Sequence, residues 1–456
     1  MKIFPTQDIK AIEQFTINNE PISSLELMER AASAVTCEII SRWRQNKRIV
    51  VFAGRGNNGG DALAVARMLI EQGYRVEIFL FNIGTGSPTL ECQANAERLK
   101  SIEGVDFTEI TNDFSPPYLS KDDIVIDGLF GIGLREPLKG GFTALVKYIN
   151  ESKAYIVSID LPSGVFGEWN LENNRRNIIN ADLTLTFQFP KLSFFFDENA
   201  QYFGEWKVLD IEFSQTAIAN TPTDYYLVEQ SDVKRVLRKR KDFSSKFDYG
   251  STIIIGGCYG MIGAPMLATK AALKTGVGLA TVHTPRCGYS IMQTSLPEAI
   301  FSADKHDIVI TDIKLKHDYN SVGIGPGLGS NDLTVNALEQ FLKNRNEPCI
   351  FDADALNCIA KRPSLLNYLP EMSIITPHSR EFDRIFGEHI SQEMRLRKAI
   401  EVARHYNIIV VLKSHNTMTI RPDGKIYINN SGTPALATPG SGDVLLGVIS
   451  ALVAQG

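Results

Sequence analysis

Thr438-Pro439-Gly440-Ser441-Gly442-Asp443, followed at once by Val444-Leu445-Leu446-Gly447-Val448-Ile449-Ser450-Ala451-Leu452-Val453, is the stretch on which the reading of the chain turns. Small, flexible residues run into an apolar segment long enough for about three helical turns. Glycines let the backbone bend so that successive N–H groups point one way, and a helix starting there adds its own unpaired amides and the positive end of its dipole. That combination holds an anion, typically a phosphate. Asp443 falls in the first turn, where the dipole keeps a carboxylate charged and able to accept a proton. Loop plus carboxylate points to chemistry at a hydroxyl beside a phosphate. The plainer reading is a glycine loop with Asp443 as a cap, and the rest of the chain decides between the two.

At 456 residues the chain has room for two or three domains. Its 44% hydrophobic and 22% charged residues describe a globular protein with ample core. A net charge of −5 offers no general attraction to nucleic acid or to an anionic membrane, so any phosphate site must be local. The six cysteines form no Cys-x-x-Cys pair and no disulfide framework, which fits a reducing cytoplasm. Met1–Asp8 lacks the apolar core of a signal peptide, and no run reaches the roughly 18 apolar residues of a membrane span. The expectation is a cytoplasmic protein that binds neither nucleic acid nor membrane.

In the first half, residues 24–43 read as an amphipathic helix capped by Ser23 or Ser24, with Glu26 in the first turn. Residues 47–52 read as a buried strand. It runs into the loop Ala53-Gly54-Arg55-Gly56-Asn57-Asn58-Gly59-Gly60-Asp61, and a helix is expected over 62–72. Strand, glycine loop and helix form the nucleotide-binding arrangement of open α/β sheets. The loop has neither the Lys-Ser or Lys-Thr ending of a Walker sequence nor the Rossmann glycine spacing. A tight turn with Asp61 as a helix cap is the alternative. Further strands at 74–81, 123–127, 155–160, 181–189 and 204–213 alternate with helices at 89–100 and 140–152. Near-continuous apolar strands indicate a parallel sheet covered on both faces. Three strands then end in oxygen-bearing loops, at Asn57/Asn58/Asp61, at Asp127 and at Asp160/Ser163. Such an oxygen set without His or Cys suits a hard cation rather than zinc.

Asn57–Asp61, Asp127-Gly128-Leu129-Phe130-Gly131-Ile132-Gly133-Leu134 and Asp160-Leu161-Pro162-Ser163-Gly164 resemble the N-terminal domain of the bifunctional NAD(P)H-hydrate repair enzyme family. The resemblance implies an epimerase that interconverts the R and S forms of hydrated NADH or NADPH. It implies that Asn58, Asp127 and Ser163 bind a potassium ion. It further implies that Asn57, Asn58, Gly59, Gly60 and Asp61, then Gly131, Ile132, Gly133, Leu134, Arg135, Glu136 and Pro137, then Asp160, line the hydrate site. Asp160 is the candidate acid/base residue. Phe142 stands where the family usually has a tyrosine.

The small, polar segment 214–223 marks the domain boundary. The basic run Lys234–Asp242 reads as a solvated helix end rather than a nucleic-acid patch, since no aromatic interleaving follows. A strand at 252–257, a helix opened by Gly263-Ala264-Pro265 and a strand at 279–283 come next. Four strand-end loops follow, at 323–329, 351–357, 376–381 and 412–417. With the opening stretch, this order resembles the ribokinase-like fold, and within it the NAD(P)H-hydrate dehydratase domain. The implied dehydration is driven by ADP or ATP with magnesium, and the ADP-using bacterial type is the expectation. Asp443 would be the general base and would touch the hydrate. Gly440, Ser441 and Gly442 would hold the transferring phosphate, Lys413, Ser414, His415, Asn416 and Thr417 the adenine nucleotide, and Ala264, Gly327 and His378 the hydrate. Asp352 and Asp354 would either position magnesium or order the loop. Ser379-Arg380 and Ser414 depart from the family's usual glycine-bearing pattern, and the chain ends thirteen residues after Asp443, where family members usually continue through further helices.

The expected architecture is therefore α/β, with two three-layer αβα domains: Rossmann-like over 1–218 and ribokinase-like over 225–456, the latter short at its C-terminus. A homo-oligomer is expected, by resemblance. A ribokinase-like kinase of a small alcohol, or a non-catalytic nucleotide- or protein-binding module, are the competing readings. The oxygen-bearing loops of the first half weigh against both.

Overall fold

The computed structural model describes every residue except Thr85. The chain divides into two compact units, Lys2–Tyr225 and Tyr226–Gly456.

In the first unit, seven strands form one parallel sheet. Its order across the sheet is Asp106–Ile110, Arg75–Phe81, Arg48–Gly54, Ile124–Gly128, Tyr155–Ile159, Leu183–Phe187 and Glu205–Leu209. Successive residues of the central strand point to opposite faces. Ile49, Val51 and Ala53 pack with Val35, Ile39 and Leu63 of two covering helices, Ser24–Arg42 and Asn57–Glu71. Val50 and Phe52 pack with Leu145, Val146 and Ile149 of helix Gly141–Glu151 on the other side. This is the expected three-layer arrangement. Helix Ser24–Arg42 starts at a full capping box: the Glu26 amide donates to Ser23 Oγ at 3.2 Å, and the Ser23 amide donates to Glu26 Oε2 at 2.7 Å.

Two features differ from the sequence-based expectation. The helix expected from Ala62 starts at Asn57, so Gly59 and Gly60 are helical rather than part of a turn. The physical reason is close packing. A methyl on Gly59 would lie 1.6 Å from the Gly54 carbonyl oxygen, and one on Gly60 would lie 2.8 Å from Met28 Sδ. An additional helix, Thr6–Asn19, buries Ile9 and Ile12 against Phe189 and Phe213.

The second unit has a sheet that runs in the order Ile426–Asn429, Thr417–Ile420, Ile409–Leu412, Ile374–Ile375, Ile350–Phe351, Ser321–Ile324, Ser251–Ile255, Leu279–Thr284 and Ile300–Ala303. Strands from Ile409–Leu412 onward are parallel, and the hairpin 417–429 continues the sheet in antiparallel fashion. Helices Gly263–Thr275 and Ser441–Gln455 lie on one face, where Ala268 and Leu446 meet Ile254 and Ile350. The two helices approach so closely that a methyl on Gly447 would sit 2.0 Å from the Ala268 carbonyl oxygen.

That contact sets a stability test. Gly447→Ala is expected to cost about 2 kcal/mol or more, because backbone must move to admit the methyl. Gly263→Ala, whose methyl meets nothing within 4 Å, is expected to be neutral or stabilising by less than about 1 kcal/mol. Urea midpoints of the two variants against the parent check both values.

Candidate active sites

In the first unit, strand order reverses between Arg48–Gly54 and Ile124–Gly128. Loops leaving adjacent strands in opposite directions open a crevice at the carboxyl edge of a parallel sheet. A cavity of about 840 Å³ lies there. Asn57, Asn58 and Asp61 line it from the first turns of their helix, whose free amides face the same edge. The loop Gly131–Pro137 supplies a second wall, with each of its seven residues on the lining. Asp160 reaches the cavity from the end of the next strand. Gly59 and Gly60 lie beneath the lining, in the packing described above. Phe142 lines the cavity and meets Phe130 edge-on, with ring centroids 4.8 Å apart.

Below the loop is a buried polar node. Asp127 Oδ2 accepts from Ser158 Oγ and from the Ser163 amide, both at 2.8 Å, and Asp127 Oδ1 accepts from Ser163 Oγ at 2.5 Å. Burial pushes the Asp127 carboxyl up, against the lowering effect of these bonds. Ser163 Oγ accepts from the Phe130 amide at 2.9 Å. Asn58 Nδ2 is buried without a hydrogen-bond partner. An amide oxygen and nitrogen exchange places by a simple flip. A cation beside Asn58 and Asp127 would satisfy the flipped amide and offset the burial of the carboxylate. The three residues therefore fit a hard cation.

Four charged residues that sequence reasoning missed complete the cavity: Lys10, Glu13, Lys139 and Lys191. Lys191 is only 1% exposed, and its ammonium pairs with Asp160 Oδ1. Its one sequence signal is a lone lysine inside the otherwise uncharged segment 183–196. Asp61 is held well above the ordinary carboxylate range by burial first, then by Asp160 and Glu13. Glu13 is raised by burial and by Asp160, with Lys10 opposing. Lys10, Arg55, Arg135 and Lys139 add cations to the rim, beside the apolar Ile9, Leu27 and Ile132. Mixed apolar walls with a few convergent charges suit a large ligand with an anionic portion.

In the second unit the reversal falls between Ser321–Ile324 and Ser251–Ile255. Gly440 adopts a left-handed conformation, φ +85°, immediately before helix Ser441–Gln455. This places Ser441, Gly442 and Asp443 in the first turn, where their amides have no helical partner. A methyl on Gly442 would lie 3.4 Å from Asp352 Oδ2 and 3.7 Å from Lys413 Nζ. Lys413 Nζ donates to Asp352 Oδ1 at 2.7 Å and lies 3.9 Å from Glu381 Oε2. Asp443 is half-buried, and its carboxyl is raised by burial and then by Asp352, with Lys413 opposing.

His378 caps helix Ser379–Phe386: its Nδ1 accepts from the amides of Arg380 at 3.1 Å and Glu381 at 3.3 Å. An accepting Nδ1 leaves Nε2 as the protonated nitrogen. Burial and then Lys413 keep the ring's affinity for a second proton low. Ala264 and Gly327 adjoin: a methyl on Gly327, at φ +60°, would lie 3.1 Å from Ala264 Cβ. Ser414 Oγ donates to the Asn416 carbonyl at 2.9 Å, Thr417 Oγ1 donates to the Ser414 carbonyl at 3.1 Å, and His415 is exposed. Asp443, Asp352, Lys413 and His378 are thus drawn into one region. Asp354 is engaged elsewhere, since its Oδ2 accepts from the Gly329 amide and its Oδ1 from Asn357 Nδ2, both at 2.9 Å. It orders the glycine loop. Asp352 is paired with Lys413 through Oδ1, and its Oδ2 lies on the side of Gly442. Among the described residues no group of three or more His, Cys, Asp or Glu side chains is placed to hold a metal.

Residues 24–193 match the model of the YjeF-related protein N-terminus, and residues 252–456 match that of NAD(P)H-hydrate dehydratase. The bifunctional NAD(P)H-hydrate repair enzyme Nnr of Moorella thermoacetica is 33% identical over the whole of this chain and 88% of its own length. The enzyme of the same name from Coxiella burnetii is 32% identical, over 99% of this chain and 90% of its own. Among solved structures, an ADP/ATP-dependent NAD(P)H-hydrate dehydratase from Bacillus subtilis, co-crystallised with ATP and magnesium, aligns at 30% identity and a TM-score of 0.43. It covers 50% of this chain and 81% of its own. Two sites on two α/β units, and full-length relatives that share both, place the chain in the bifunctional NAD(P)H-hydrate repair enzyme family.

Proposed function

We propose that the chain repairs hydrated NADH and NADPH in two steps: epimerisation of the R and S hydrates in the first unit, and dehydration of the S form, driven by ADP, in the second. The observation that carries the reading is the presence, in one chain, of a charged cavity at the sheet reversal of the first unit and of Asp352, Lys413 and Asp443 gathered beside a glycine-led helix start in the second. The 840 Å³ cavity gives a dinucleotide room, and Lys10, Arg55, Arg135 and Lys139 give its phosphates counter-charges. Asp160 is the acid/base residue of this site. Asn58, Asp127 and Ser163 would hold potassium, which supplies a fixed positive charge under the Gly131–Pro137 loop.

In the second site, Asp443 takes the proton of the hydrate hydroxyl as that oxygen attacks the terminal phosphate of ADP and AMP leaves; the phosphorylated oxygen then departs as inorganic phosphate while the neighbouring carbon loses a proton, which restores the ring double bond. The amides of Gly440–Asp443 stabilise the charge on the phosphate in flight. Lys413 pairs with Asp352 and adds a cation beside the same charge. The neutral His378 offers Nε2–H to the hydrate, with Ala264 and Gly327 beside it. Residues 413–417 carry the nucleotide; Asp352, through Oδ2, would help hold a magnesium ion that neutralises its phosphates, while Asp354 orders the glycine loop. The six free cysteines suit a reducing compartment, the cytoplasm. A homo-oligomer belongs to the same reading.

With mixed R and S hydrates and ADP, return of the reduced-nicotinamide absorbance is the assay. Asp443→Asn is expected to lower dehydration by about 10² to 10⁴ and to leave interconversion of the epimers intact. Equal loss of both activities contradicts separate sites. Because burial and Asp352 raise the Asp443 carboxyl, the dehydration rate falls as pH drops through that raised value. The acid limb is therefore expected above the ordinary aspartate value of about 3.9; a limb at or below it removes Asp443 as the base. Asn58→Ala is expected to raise the potassium concentration for half-maximal epimerisation by about tenfold, with dehydration unchanged.

A further inference from the structure

Lys191 is among the most completely buried side chains of the molecule, yet it carries a charge and lines the catalytic cavity. Its ammonium meets three acceptors, Asp160 Oδ1, Thr186 Oγ1 at 2.7 Å and the Phe187 carbonyl at 3.3 Å. An ammonium has three donors, so all are used. The other end of the contact is one-sided as well. Asp160 Oδ1 accepts from Lys191, from Thr186 Oγ1 at 3.2 Å and from the Phe187 amide at 3.3 Å. Each of these bonds goes to Oδ1. Asp160 itself is held at φ +63°, a conformation that L-residues rarely keep without support. Its backbone is pinned by the amide bond to the Leu185 carbonyl at 2.8 Å.

We propose that Lys191 is a positioning residue for the epimerase: it locks Asp160 Oδ1 and turns Oδ2 to the cavity as the proton-accepting oxygen. This rests on the epimerase reading of the first unit. The O–H bond of the hydrate breaks as the Oδ2–H bond forms; the ring C–N bond at that carbon opens as its C=O forms, the carbonyl turns its other face, and the C–N bond re-forms as Oδ2 returns the proton to oxygen, so the isomerisation needs no co-reactant. The other ionisable groups facing Asp160 are Asp61 and Glu13, both of which work against its charge, and Lys10 stands beside Glu13. Lys191 is the one cation in direct contact with Asp160 among the described residues. Removing it leaves a buried carboxylate facing two acids. Its affinity for a proton then rises, and the base form is reached only at higher pH.

The test uses the full chain, with R hydrate as substrate, no nucleotide, and separation of the epimers across a pH series. Lys191→Met is expected to slow epimerisation at neutral pH at least about tenfold and to move the acid limb up by about one pH unit or more. Lys191→Arg, which keeps the charge, is expected to restore the limb. Dehydration of S hydrate with ADP, carried by the other unit, should match the parent. A Lys191→Met protein whose limb stays in place overturns the proposal, whatever its melting temperature, and leaves only a packing role. Should that variant fail to fold, Thr186→Val reads the same contact: a smaller upward move supports the proposal and an unmoved limb overturns it. Absence of epimerisation in the parent would instead overturn the epimerase reading itself.

Discussion

Both units depend on backbone passing backbone at the carboxyl edge of a parallel sheet. In the first, the last residue of the central strand is Gly54, and a methyl there would lie 2.0 Å from the Leu129 carbonyl oxygen. In the second, Gly256 follows the equivalent strand, and a methyl there would lie 2.2 Å from the Pro326 carbonyl oxygen. Each contact joins the loops that diverge at the sheet reversal. Only glycine permits the approach. Without it the two loops would separate, and neither Asn58 under Gly131 nor the Gly325–Gly329 turn beside Asp352 would keep its place.

On that foundation the two sites solve different electrostatic problems. The first concentrates acids in a buried space and stabilises one of them with a buried lysine. Asp61 and Glu13 are driven toward their neutral forms, while Asp160 has a cation at its back. Unequal environments for neighbouring carboxyls are how a site assigns acid and base roles. The second site relies on backbone. Ser441, Gly442 and Asp443 open a helix whose dipole has its positive end there, and Lys413 is held against Asp352 as a fixed counter-charge.

Much of this was legible in the sequence because the strands are apolar runs and their ends carry oxygen. Residues 47–52, 123–127 and 155–160 could hardly be anything but buried parallel strands, and their loops had to share an edge. Gly440–Asp443 announced a helix start. What stayed hidden depended on tertiary contact. Gly59 and Gly60 looked like turn residues and proved to be the closest-packed part of a helix. Helix Thr6–Asn19 mixes polar and apolar residues and stands out only once Phe189 and Phe213 cover it. Glu13 and Lys10, which it brings to the cavity, lie far from any motif. Lys191 was visible as a charge in an uncharged run, but its partner thirty-one residues earlier was not.

The central claim is that the two sites act in turn on one damaged dinucleotide. The most direct measurement is repair of pure R hydrate by Asp160→Asn in the presence of ADP, at a pH where the hydrates interconvert slowly on their own. The account predicts that this variant restores reduced nicotinamide from S hydrate at the parent rate and from R hydrate only as fast as spontaneous interconversion allows. Restoration from R hydrate at the parent rate would contradict it.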